Sequence, residues 1–237
     1  LALSVSHASA APVNPGFEDG GGSLTGWTTL GDVSAVPSTS VTTFDGTVWS
    51  IFAFETHMAQ LNSNGANVAD IEAALGLSPG SLPNNNPDNG SLTNGSAIWQ
   101  TFAAAAGETI TQWWNYVARD YVPFNDPAFA VVIDPDGNAS ITVLASIWGD
   151  GVAVGTSGNS GWHSFSFTAS VAGDYTLAFI TTNDKDTILD SALFVDNGPG
   201  TCDPNCPPIG VPEPGSLLLL GAALAGLGVT YRRRRNT

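Results

Sequence analysis

Between residues 47 and 196 the chain returns repeatedly to one device, a short run rich in Val, Ile, Thr and aromatic residues closed off by Gly, Pro, Asn or Asp. The runs are TVWSIFAF (47–54), ETITQWWNYVA (108–118), FAVVI (129–133), SITVLASIW (140–148), HSFSFTA (163–169), DYTLAFITT (174–182) and SALFVD (191–196). β-Branched and aromatic residues fit a pleated, half-buried surface, and the turn residues stop each run early. In HSFSFTA, Phe165, Phe167 and Ala169 alternate with Ser164, Ser166 and Thr168, which gives a strand one buried and one wet face. Asp134-Pro135-Asp136-Gly137 has turn chemistry: proline presets φ, aspartate bonds locally and glycine relieves strain. So many short strands predict an antiparallel sandwich.

One segment breaks the pattern. In NVADIEAALG (67–76), Val68, Ile71 and Leu75 share a face at helical spacing. Asn67 suits an N-cap, Asp70 and Glu72 suit the first turns, and Gly76 ends the run, so a short inserted helix is predicted. The following SPGSLPNNNPDNGSLTNGS (78–96) reads as a long, polar, mobile surface loop.

Charge narrows the function classes. From Pro12 to Asn197, Arg119 and Lys185 stand against 19 acids, a net charge of −17. Nucleic acid and anionic lipid need clustered Lys and Arg, so no nucleic-acid partner is expected. Ca2+ and neutral sugars suit such a surface better.

The segment NPGFEDGGGSLTGWT, with Asn14, Gly16, Phe17, Glu18, Gly26 and Trp27, resembles the opening of carbohydrate-binding-module-like, galactose-binding-like jelly rolls, and LFVDN (193–197) resembles their last strand. The resemblance implies an all-β, antiparallel jelly-roll-like β-sandwich over 12–197. It also implies a structural Ca2+ held by Glu18 and Asp196, where first and last strands meet, with carbonyl oxygens completing the shell. Asp190 is the best extra candidate, since it lies just before the strand that presents Asp196. The competing reading is that Glu18 caps a turn and Asp196 faces solvent. Further acids, Asp184 and Asp186 in one group and Asn125 with Asp126 in another, match no EF-hand spacing and read as solvated turns.

Trp113 and Trp114 are adjacent in a strand-like run, so their side chains point to opposite faces. One fills the core; the other, if exposed, is a flat sugar platform, while a covered outer face is the favoured alternative. Catalysis has little support. After removal of the N-terminal segment only His57 and His163 remain, and TSGNSGWHS (156–164) is no nucleophile elbow. The domain therefore reads as a non-enzyme, with a glycoside-cleaving carboxylate pair left open because such pairs are set by spatial separation.

Both ends read as addresses. Residues 1–11 resemble the later part of a secretory signal peptide, with a small-residue cleavage site near Ala10 or Ala11. Residues 198–211 form a Pro/Gly-rich, semi-rigid linker, in which Cys202 and Cys206 suit a small local disulfide in an oxidising compartment. Beyond it Pro212, Glu213 and Pro214 precede an apolar run, Leu217 to Tyr231, that is capped by Arg232, Arg233, Arg234 and Arg235. The run is a little short of the roughly 20 residues a spanning helix needs, but its flanks snorkel, and the arginines would stay cytoplasmic. The order of these parts over 212–235 resembles the PEP-CTERM sorting signal of exopolysaccharide-producing Gram-negative bacteria. That implies an exosortase as partner and transient anchoring in the inner membrane through this separate C-terminal hydrophobic helix. Delivery to the cell surface or extracellular matrix follows, with a structural or adhesive role in exopolysaccharide or biofilm. A carbohydrate-binding module is the alternative, and a hydrolase the third. IEAALGLSPGSL (71–82), GSAIWQTFAAAAGETI (95–110) and DTILDSALFVDN (186–197) resemble ectodomains that accompany such tails, without implying an activity.

Overall fold

The computed structural model describes residues 11–84 and 86–199. All but Ala11 of the signal segment expected at 1–11, and the expectations for Cys202 and Cys206, the Pro-Glu-Pro triplet, the apolar run and the arginine cluster, lie outside the described residues.

The described chain is all-β with one short helix. Its elements are β1 (Thr28–Leu30), β2 (Val33–Pro37), β3 (Thr39–Thr42), β4 (Val48–Ile51), β5 (His57–Asn62), β6 (Ala66–Asn67), α1 (Val68–Ala74), β7 (Leu92–Ala104) and β8 (Thr109–Val117). They continue with β9 (Ala128–Ile133), β10 (Ala139–Ser146), β11 (Val152–Ala153), β12 (Asn159–Thr168), β13 (Gly173–Asp184) and β14 (Ala192–Asp196). A seven-stranded sheet runs β1-β7-β13-β9-β10-β11, with β6 also on β7; a five-stranded sheet runs β12-β8-β14-β5-β2; β3 and β4 form a separate ribbon. All pairings are antiparallel except the short β10–β11 contact.

The two sheets face each other across a core to which the larger contributes Ile98, Phe102, Ala130, Leu177 and Phe179, and the smaller Leu61, Ile110, Trp114, Tyr116, Leu193 and Val195. The alternation read in HSFSFTA is realised: Phe165 and Phe167 pack on this core, while Ser164, Ser166 and Thr168 are exposed. Phe165 meets Phe179 across the layers, edge to face at 6.2 Å.

Each sheet has a second, outer face. On the larger sheet, Ala97, Phe129, Val131, Ala178 and Ile180 are covered by Val68, Ile71 and Leu75 of α1 together with Leu77 and Leu82. On the smaller sheet, Met58, Val117, Ala192 and Phe194 are covered by Val41 and Ile51 of the β3–β4 ribbon. The helix falls where its spacing predicted, but two details differ. Asn67 makes no capping bond from its side chain. Glu72, rather than sitting in solvent near the helix start, is buried and accepts the backbone N–H groups of Gly80 at 2.7 Å and Leu82 at 2.9 Å, so it organises the loop after the helix. The expected loop 78–96 is shorter than anticipated: Leu92 to Ser96 belong to β7, because their backbone pairs with β13 despite polar side chains.

Candidate functional site

Strand register decides which side chains share the outer face of the smaller sheet. β8 pairs with β12 so that Thr109, Thr111, Trp113 and Asn115 lie opposite Thr168, Ser166, Ser164 and Trp162, and β14 places Asp196 beside Trp113. Since side chains alternate along a strand, all of these project to the same side. The ribbon's cluster reaches as far as Trp162, while Thr109, Thr111, Ser166 and Thr168 beyond it stay exposed. Toward the ribbon is an aromatic group in which Phe54 packs on Trp162, with centroids 4.8 Å apart, and edge-on against Trp113 at 5.5 Å. The Trp162 indole N–H donates to the Phe52 carbonyl at 3.1 Å, and the Phe52 ring is 63% exposed. Away from the ribbon the aromatics give way to a hydroxyl ladder, with Thr111 and Ser166 at 2.8 Å and Thr109 and Thr168 at 2.9 Å, all exposed. An apolar step joined to rows of exposed hydroxyls is a surface that offers both stacking and hydrogen bonds to a neutral, hydroxyl-rich chain.

The adjacent tryptophans part as strand geometry requires. Trp114 is in the core, 4% exposed, stacked on His163 at 4.9 Å, so it is removed from the proposed sugar platform. Trp113 is half-buried, with Gly198 lying so close to its indole that a Cβ there would collide with the ring. Phe52, joined to the group through its carbonyl, is largely exposed, while Trp162 and Trp113 are half-buried. A second exposed aromatic group, unread in the sequence, lies elsewhere: Phe44 on Tyr121 at 4.7 Å and Tyr121 on Phe124 at 5.4 Å.

Asp196 borders the aromatic group. Its carboxylate accepts the N–H of Phe54 at 2.8 Å and of Asn197 at 2.7 Å. Burial pushes its pKa up to about 7 against those bonds, and the charges of Glu18 and Glu55 add to the rise. Glu18, in the loop before β1, accepts the N–H groups of Thr56 at 2.9 Å and His57 at 2.6 Å, bonds the Thr56 hydroxyl and pairs with the His57 ring at 3.2 Å. Burial opposes its charge, but the Thr56 and His57 bonds outweigh it and hold the carboxyl below its ordinary value. The amide oxygen Oδ1 of Asn197 is buried with no hydrogen-bond partner. Among the described residues no three His, Cys, Asp or Glu side chains are gathered as a metal cluster. A cation here would draw on Glu18 and Asp196 with the orphaned Asn197 oxygen and main-chain carbonyls, a hard-oxygen set that fits Ca2+. Asp190 is placed elsewhere: at the opposite end of β14 it accepts from Asn64 at 2.6 Å and Asn183 at 3.0 Å.

Near that end the structure unites acids that the sequence kept in separate turns. Asp120, Asp126 and Asp184 are each almost fully buried. Burial pushes Asp120 up to about 6, opposed by the Tyr121 N–H and assisted by the charge of Asp186. Burial also places Asp126 well above the usual carboxylate range. The reading of Asp126 and Asp184 as solvated turns is therefore corrected. No sequence spacing betrays a cluster whose members are brought together by β9 and β13 pairing side by side.

No curated protein matches the chain. Among solved structures it is similar to TmCBM61 in complex with β-1,4-galactotriose, at 14% identity over 80% of this chain and 96% of that one, with a TM-score of 0.43. It is also similar to a xylan-binding domain from CBM 22, at 12% identity over 77% and 88% with a TM-score of 0.34. A third is the C-terminal family 22 carbohydrate binding module of Clostridium thermocellum Xyn10B, at 12% over 81% and 100%, also 0.34. Outside the described domain, residues 210–235 match the PEP-CTERM protein-sorting motif, and the chain accordingly carries the sorting signal that its Pro-Glu-Pro, apolar run and arginine cluster resembled.

Proposed function

We propose that this chain is an exported, non-catalytic protein, sorted by an exosortase acting at its C-terminal signal and released to the surface or extracellular matrix of a Gram-negative cell. There its sandwich serves a structural and adhesive role by holding neutral exopolysaccharide. The observation that carries the saccharide part is the outer face of β8 and β12, where Trp162 and Trp113 run into the Thr and Ser ladder. The net charge of −17 between Pro12 and Asn197 favours an uncharged polymer over an anionic one. Glu18, Asp196 and Asn197 supply a Ca2+ site whose role is to fix the loop at 52–57 beside that face.

Purified domain titrated with neutral polysaccharides tests the reading. Saturable binding that Trp162→Ala weakens and Phe44→Ala leaves intact is expected; binding unaffected by Trp162→Ala removes this face from the proposal. For sorting, the tail is followed by mass spectrometry in hosts with and without exosortase. Retention of Arg232 to Arg235 in both would defeat that half.

A further inference from the structure

Four strands close the edges of the two main sheets, and three of them are blunted: β1 has three residues, β11 two, and β2 five, the last of them Pro37. The fourth, β12, runs ten residues, Asn159–Thr168, with no Asp, Glu, Lys, Arg or Pro among them. Folded proteins protect a long edge with charge, proline, a bulge or a cover, because its outward backbone groups are a template for another strand. β12 has a register shift only near its start, between Asn159 and Trp162, and from there to Thr168 its pairing with β8 is regular.

Which backbone groups face outward follows from the end of the β8–β12 pair. Ala169 donates its N–H to the Glu108 carbonyl and its own carbonyl accepts the Gly107 N–H, both at 2.8 Å. Backbone direction alternates along an antiparallel strand, so Phe167, Phe165 and His163 also turn to β8, while Trp162, Ser164, Ser166 and Thr168 turn their N–H and C=O groups away from it. Among the described residues no strand or loop backbone pairs with those four. Phe165 and Phe167 pack on the core yet are only half-buried, so an apolar flank runs beside the open ladder.

We propose that β12 is a self-association edge, pairing antiparallel with β12 of a second copy about a two-fold axis at Phe165. In that register Trp162 meets Thr168 of the second copy and Ser164 meets its Ser166, every outward N–H and C=O of the four residues gains a partner, and Phe165 lies beside its own counterpart. Charge and sequence select this occupant. The domain carries −17 between Pro12 and Asn197, yet this edge is neutral, so two copies meet here without opposing like charges. The chain's own segment after the domain cannot take the place, because Pro199, Pro204, Pro207, Pro208, Pro212 and Pro214 lack the N–H groups a ladder needs. The pairing joins two five-stranded sheets into one and continues the Trp and hydroxyl face across both copies. It stands on the edge alone and does not rest on the saccharide reading.

The test is sedimentation of the full chain in detergent over a range of concentrations, with the tail common to every variant so that association through it is a shared baseline. The parent chain is expected to dimerise. Ser166→Pro removes an outward N–H at an edge position that tolerates proline, and is expected to weaken self-association about tenfold or more while the chain stays folded. Ser164→Lys combined with Ser166→Lys sets like charges against each other across the axis and is expected to do the same, even though it lowers the net negative charge of each copy. Ser164→Glu combined with Ser166→Glu is expected to be monomeric alone and to form a mixed dimer with the doubly Lys-substituted chain, since the register then opposes Lys and Glu. A parent chain no more associated than these variants, a dimer indifferent to them, or a failure of the two charged chains to associate on mixing overturns the proposal. The polysaccharide titration is scored separately, so failure of one reading leaves the other standing.

Discussion

The two outer faces of the sandwich start from similar strands and end differently. On the larger sheet, α1 lays Val68, Ile71 and Leu75 on Phe129, Val131 and Ile180, and the following loop is pinned there by Glu72. On the smaller sheet the β3–β4 ribbon covers Met58 and Phe194 and reaches Trp162 of β12, but it leaves the hydroxyls of Thr109, Thr111, Ser166 and Thr168 at the surface. A sealed face contributes stability; a half-open face contributes a place for something else to bind. The lesson is that cover, rather than composition, separates core from candidate site, since both faces carry aromatic side chains.

The contrast can be broken in several ways. Ile71 is fully buried on the inner side of the helix, and Ile71→Ala should cost about 3 kcal/mol of unfolding free energy, through lost burial and the cavity left behind. Chemical denaturation measures it, and a cost under about 1 kcal/mol would mean that the helix does not seal its sheet. On the open side, Trp162→Ala should lower polysaccharide affinity about tenfold or more while changing stability less than Ile71→Ala does. If stability falls further than for Ile71→Ala, this face is core and the contrast fails. Phe52→Ala, at a largely exposed ring, should leave the melting temperature almost unchanged and lower affinity only a few-fold.

Charge sharpens the contrast between the closed end and the open face. Asp120 has its folded pKa raised to about 6 from 3.8, so the native state holds a proton that the unfolded chain has released. Its contribution is therefore most favourable below about pH 4 and is lost as pH rises through about 6. The melting temperature should accordingly slope downward between those values in chelator, and Asp120→Asn should flatten part of that slope. An identical slope in the variant would show that another group is responsible. Gly198→Ala should have the smallest effect: a Cβ meeting the Trp113 ring, at a residue with φ of +90°, should shift the chain after β14 and change tryptophan fluorescence with little loss of fold.

How legible this was depends on which interactions set each feature. The alternation at Ser164 to Ala169 and the opposed directions of Trp113 and Trp114 follow from the two-residue repeat of a strand, and they hold. β5 and β7 were not read, since HMAQLN and LTNGSAIWQTFAA lack a run of β-branched residues and are strands because neighbours pair with them. Asp126 and Asp184 look solvated because nothing local tells an exposed turn from one folded under a loop. Trp162 was not singled out, and its position opposite Asn115 is what puts it on this face.

By itself the sequence determined what short-range chemistry can determine: strands from alternation, a helix from the spacing of Val68, Ile71 and Leu75, an acidic surface from composition, and a sorting tail whose order of parts is read linearly. Only the tertiary structure decided which face stays open, which tryptophan is buried, that Glu18 comes near Asp196 while Asp190 does not, and that Asp184 is left with an unpaired buried oxygen. The physical reason is the same in each case. Burial and electrostatic environment are properties of neighbours in space, and in a sandwich those neighbours are set by strand pairing between residues tens of positions apart.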